Sequence, residues 1–185
     1  MKIDPTRSWM AIEERLATTE NPRHRQLLQV LLDHLQAEAS GDFQRLVSTL
    51  SDDPQYHFWI SDSGFDAGPK GFDAVTSHYT QLYEEGRNVV QYDIERIVVD
   101  DNCIVTEGVF HQVYPGRVLA TRGMDVDDPD SPYALTMRLV LFWPYDDDGK
   151  LTGEDSYSDG LMFTPERITR LNPEDLPTSY AGRSA

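Results

Sequence analysis

The residues best equipped for chemistry in this chain are carboxylates, histidines, an arginine and tyrosines set among apolar neighbours. Val105, Glu107, Val109, His111 and Val113 share one face by the two-residue period of a strand. A glutamate and a histidine among valines need a reason, because a buried unpaired charge costs several kcal/mol; the ordinary alternative is a face turned to solvent or to a partner subunit. Arg138 interrupts the apolar run Thr136, Met137, Leu139, Val140, Leu141, Phe142 and cannot shed its charge, so it must pair with a carboxylate or reach water. Asp155, Tyr157 and Asp159 share a face of the last long strand, and His57 and Trp59 share a face of the first. His78 and Tyr79 sit on a helix that could line a pocket from the other side, with His34 on the opening helix and Tyr133 among the pocket aromatics. Structural packing explains each residue equally well when taken alone.

Other chemistries lack their signatures. There is no glycine-rich phosphate loop, no serine nucleophile elbow, and no histidine or cysteine pair at metal-ligand spacing. No cofactor and no metal is therefore expected. Cys103, the single cysteine, lies in an apolar run and is expected to act as a small hydrophobe. The formal net charge of -16 repels phosphate, which argues against nucleic acid and anionic membrane as partners. Asp146, Asp147, Asp148 and Gly149 lack the alternate spacing of a calcium loop and read as a hairpin turn. The charged, proline-containing start lacks the apolar core a signal peptide needs, and no window reaches transmembrane length, so a cytoplasmic location without a signal peptide is expected.

The elements that must position these residues follow from periodicity. Asn21 and Pro22 open a helix with Leu27, Leu28, Leu31, Leu32 and Leu35 at helical spacing, ending near Gly41. Asp42 caps a second helix carrying Phe43, Leu46, Val47 and Leu50. Trp9, Ile12 and Leu16 suggest a further helix upstream. Residues 55–60 read as a strand, and Phe72, Val75, Tyr79, Leu82 and Tyr83 as a helix stopped at Gly86. Residues 88–99 and 102–114 form a predicted hairpin, and 133–145 and 150–159 a second pair of strands. Between them, residues 115–131 are long and acidic enough to serve as a lid, a subunit contact or a mobile loop. The order is that of an α+β fold with helices gathered on one face of a strongly curved sheet. One domain is expected over residues 1–185, with a core at 21–160, a helical extension at 1–20 and a tail at 161–185.

Three segments carry a resemblance: Ala37, Glu38, Ala39, Ser40, Gly41, Asp42, Phe43 at the end of the opening helix; the strand around Tyr56 to Ile60 leading through Gly68, Pro69, Lys70 and Gly71 into Phe72, Asp73, Ala74, Val75; and the closing strand 149–159. In order and spacing they resemble the nuclear transport factor 2-like superfamily and its SnoaL-like branch, over residues 23–159. The resemblance implies a conical barrel of mixed or antiparallel sheet with three helices closing an apolar pocket, and a homo-oligomer, dimeric or trimeric. It implies a cofactor-independent lyase, dehydratase or isomerase acting on a small apolar hydroxylated molecule, aromatic or polycyclic, diarylpropane cleavage being one example. It equally admits a non-catalytic ligand-binding or accessory domain. Asp62 stands before Gly71 at the spacing of the catalytic base in ketosteroid isomerases, although the proline that normally follows the base is missing. His111 resembles the strand histidine of scytalone dehydratases. Arg138 resembles the arginine that limonene epoxide hydrolases hold between aspartates, a role for Asp155 or Asp159.

Overall fold

The computed structural model describes residues 1–59, 65–178 and 180. Its helices are α1 (Arg7–Thr18), α2 (Pro22–Ser40), α3 (Phe43–Ser48), α4 (Phe72–Glu84) and α5 (Gly116–Thr121), and its strands β1 (His57–Phe58), β2 (Val90–Val99), β3 (Cys103–Pro115), β4 (Pro132–Pro144), β5 (Asp155–Ser158) and β6 (Ile168–Arg170). Local chemistry sets the helix ends. The Asn21 side chain accepts from the amides of Arg23 and His24, Pro22 fills the first turn, and Gly41 ends α2 in the left-handed region at φ 75°. Asp42 caps α3 by accepting from Arg45 N.

The strands join in one six-stranded sheet of order β1-β5-β4-β3-β2, with β6 paired to β4. All pairings are antiparallel except β1 with β5. The expected α+β class holds, but the sheet is an open, curved cone wall and not a closed barrel. A register shift between Ile94 and Arg96 places one extra residue, Glu95, in β2 and bends the sheet. Gly108 lies across from this bulge; a Cβ there would stand 2.1 Å from Asp93 O, so only glycine admits the close approach.

The core lies between the concave face and the helices. Leu27, Leu28 and Leu31 of α2, Val75 of α4 and Ile104 and Leu135 of the sheet are fully buried. The first and last strands are shorter than the sequence predicts. β1 keeps two residues, and the chain before β5 makes isolated bridges at Leu151 and individual backbone hydrogen bonds at Thr152 and Glu154 in place of a continuous strand. Residues 115–131 open with the short helix α5, and the tail lays Met162 and Phe163 against the core.

Candidate functional site

The concave face, α2, α4 and the tail enclose a cavity of about 550 Å³. Strand alternation decides which side chains enter it. Phe110, Gln112 and Tyr114 of β3, Met137, Leu139, Leu141 and Trp143 of β4, and Glu154 and Ser156 at β5 face inward. Phe58 enters from β1, His78, Tyr79 and Leu82 from α4, and Leu35 and Glu38 from α2.

Two carboxyl groups stand in this largely apolar chamber. Burial raises Glu38 from 4.5 to about 7. Glu154 is raised further, to about 8, by burial first, then by the charges of Glu38 and Asp155. Near neutral pH the pair therefore supplies a carboxylic acid able to donate a proton and, on the lower-pKa partner, a carboxylate able to accept one. Two phenols share their field: burial, together with Glu154 and Glu38, pushes Tyr56 and Tyr79 well above the ordinary tyrosine value.

A hydrogen-bonded chain fixes these phenols. Thr49 Oγ1 donates to Leu46 O at 2.6 Å, so it must accept from His34 Nδ1 at 2.8 Å. His34 Nε2 is then the acceptor for the Tyr79 hydroxyl at 3.0 Å, and Tyr56 donates to Tyr79 Oη at 2.9 Å. Burial lowers His34 to about 4, which keeps it neutral in this tautomer. His78, packed 5.3 Å from the Phe58 ring, is also lowered to about 4, by burial and then by Arg87. It enters the cavity as a neutral imidazole.

Of the residues singled out in the sequence, Tyr79 and His78 line the cavity, and His34 stands directly behind Tyr79. Asp62 lies outside the described residues. The remaining candidates are not in the cavity wall. His57, Glu107, His111, Arg138, Asp155 and Tyr157 hold the alternate strand positions on the convex face, Trp59 and Asp159 follow directly after β1 and β5, and Tyr133 packs near α5. Arg138 pairs there with Glu95 Oε2 at 2.7 Å and Glu107 Oε1 at 2.5 Å, not with the cavity acids. Asp159 pairs with Arg167 at 2.8 Å. His111 bonds Thr136 Oγ1 at 2.9 Å and lies 3.7 Å from Asp93. His57 bonds Asp66 at 2.7 Å and stacks on Trp59, while Asp155 holds the adjacent register position. Tyr157 is 44% exposed beside Phe142, and Tyr133 donates to Asp127. Arg138, Asp159 and Arg167 also line an open depression of about 660 Å³ on that outer face, but it lacks aromatic enclosure and these three charges are paired.

Sequence reasoning missed Glu38 and Glu154. A signal existed for the first, since Glu38 continues the stripe of Leu27, Leu31 and Leu35 where another leucine belongs. For Glu154 a signal existed in the neighbouring β4, whose Leu135, Met137, Leu139, Leu141 and Trp143 form an uninterrupted apolar face while Thr136 and Arg138 mark the other, but period-two reasoning within 149–159 alone does not say which face of that segment meets it.

A cone of sheet and helices around a polar-tipped apolar chamber is the architecture of a small-molecule site. The chain belongs to the SnoaL-like domain family, whose model matches residues 31–152, inside the stretch that carried the resemblance. The fold is nuclear transport factor 2-like. A protein assigned to the SnoaL-like polyketide cyclases from Shewanella putrefaciens superposes with a TM-score of 0.61 at 15% identity, over 80% of this chain and 87% of that one. A Mycobacterium tuberculosis epoxide hydrolase of the limonene epoxide hydrolase-like type gives 0.53 at 19% identity, over 75% and 86%. A second M. tuberculosis protein, solved with estradiol-17beta-hemisuccinate, gives 0.51 at 14% identity, over 78% and 98%. At these identities the likeness is one of fold. No curated protein matches the sequence. Among the described residues no helix is long and apolar enough to cross a membrane.

Proposed function

We propose that this protein is a cofactor-independent acid–base enzyme, a lyase, dehydratase or isomerase, acting on a small, apolar, hydroxylated aromatic or polycyclic molecule. The observation that carries this reading is the pair Glu38 and Glu154, raised to about 7 and about 8 at an aromatic cavity wall. Glu154 acts as the general acid and Glu38 as the base. Tyr79, ordered by Tyr56 and with its own proton committed to His34 Nε2, positions a substrate hydroxyl by accepting from it at the remaining lone pair of Oη. Trp143, Phe110, Tyr92 and Leu139 supply the apolar walls for a ring system. A steroid ester bound by one protein of this fold supports a ligand of that size. The same reading takes the protein as one cytoplasmic domain that assembles with its own copies.

The test is a thermal-shift screen with hydroxylated diarylpropanes, steroids and polyketide-like phenols, followed by incubation of each stabilising ligand without added cofactor and mass analysis of the product. Conversion should fall by roughly a hundredfold or more in Glu154→Gln and in Tyr79→Phe, with ligand binding retained. A ligand that stabilises the protein yet stays unchanged, or conversion that survives loss of both cavity acids, overturns the enzymatic reading; the first of these results leaves a binding domain.

A further inference from the structure

We propose that the cavity takes amphipathic anions, with the oxyanion head of the ligand seated between Arg87 and Arg122. This rests on the cavity being the ligand site and adds the charge class of what fills it. In a chain of net charge -16, both guanidiniums line this one chamber. They face a single carboxylate: Arg87 Nε lies 2.5 Å from Glu85 Oε2, and Arg122 approaches the same oxygen only at 4.0 Å. Among the described residues no other carboxylate pairs with either arginine. One of the two positive charges is therefore left without an ion-pair partner of its own among the described residues, in a chamber whose acids Glu38 and Glu154 form no ion pair with either arginine.

The rings hold these cations in place without neutralising them. Arg87 and Arg122 lie over Tyr114 at 5.6 Å and 6.0 Å, and Arg122 also over Phe163 at 5.2 Å. Arg87 is nearly buried, its side chain 8% exposed, and Gln112 Nε2 donates to its carbonyl oxygen, so its position is fixed from both sides. A planar, always-charged guanidinium held this way suits a carboxylate, sulfonate or phosphate oxygen better than a hydroxyl.

The arginines and the acid–tyrosine group lie apart. Glu154 directly precedes Asp155, which pairs with Phe142 next to the Trp143–Ile104 pair at one end of the sheet, whereas Tyr114 pairs with Tyr133 toward the other. Along α4 and its C-terminal turn, Tyr79 and Arg87 are separated by roughly 12 Å. An anionic head at the arginines thus sets a body of two or three rings against the cavity walls and its far end at Tyr79 and Glu154.

Two fluorescent probes with one arylamine frame test this: 8-anilinonaphthalene-1-sulfonate, which is anionic, and N-phenyl-1-naphthylamine, which is neutral. The sulfonate should bind the native protein tighter by on the order of tenfold, against the net charge of the chain. Arg122→Gln should remove that preference and leave the neutral probe unchanged. Arg122 is the variant of choice because its side chain is 35% exposed and the fold tolerates its loss better than that of Arg87. Leu139→Trp, which fills the chamber, should displace both probes. Equal affinity for the two probes, or a sulfonate preference that persists in Arg122→Gln, overturns the proposal while leaving the cavity as the ligand site. If neither probe binds, or Leu139→Trp displaces neither, the cavity reading falls with it.

Discussion

Replacing Glu154 by glutamine should stabilise the protein in alkaline solution and leave it nearly unchanged in acid. The folded-state value is raised from 4.5 to about 8, so between those limits the folded chain holds a proton that the unfolded chain has lost. Stability from this group is complete below about pH 4.5 and declines as pH rises to about 8, since stability falls with pH wherever the folded state binds more protons. At ~1.4 kcal/mol per pH unit the full shift corresponds to roughly 5 kcal/mol, and relaxation of the surrounding polar groups around the ionised form reduces the net effect to about 2–3 kcal/mol. Glutamine keeps the shape and hydrogen-bonding capacity of the neutral acid without this cost. Urea unfolding of native protein and Glu154→Gln at pH 5, 7 and 9 measures the difference directly. The variant should match the native protein at pH 5 and exceed it by about 2–3 kcal/mol at pH 9. Ionising groups away from Glu154 cancel in that comparison, leaving Glu154 and the groups coupled to it, Glu38 and Asp155, so a stability difference independent of pH would refute the placement of Glu154 in a poorly solvated chamber.

Arg138→Ala on the convex face should cost at most about 1 kcal/mol, less in high salt, and leave ligand binding intact, because its ion pairs with Glu95 and Glu107 are partly exposed; loss of binding in a titration calorimeter would return Arg138 to the ligand site. Gly108→Ala should cost about 2–3 kcal/mol and lower the melting temperature by roughly 5 to 10 °C in calorimetry, since its Cβ would meet the Asp93 carbonyl at 2.1 Å. An unchanged melting temperature would show that the bulge yields freely.

Much of the scaffold was legible in the chain itself, because local chemistry fixes it. Asn21, Pro22 and Gly41 bound α2 by capping and φ preference, and the long strands of the two central hairpins follow from runs of β-branched and aromatic residues. The family motifs, in order, carried the fold class. The sequence determined less about the site because period-two alternation states which residues share a face, not which face is inside. Glu107 with His111, Arg138, and Asp155 with Tyr157 were correctly grouped by face, and the tertiary structure turns each group outward while Phe110, Leu139 and Glu154 take the interior. That choice is made by the helices. α2 and α4 cover only one side of the sheet, and the large rings at Tyr92, Tyr114 and Trp143 are withdrawn from water beneath them. Once they are buried, a proton on Glu154, a neutral His34 and an arginine pair at Tyr114 follow from desolvation and proximity, properties that no residue has until the chain closes around it.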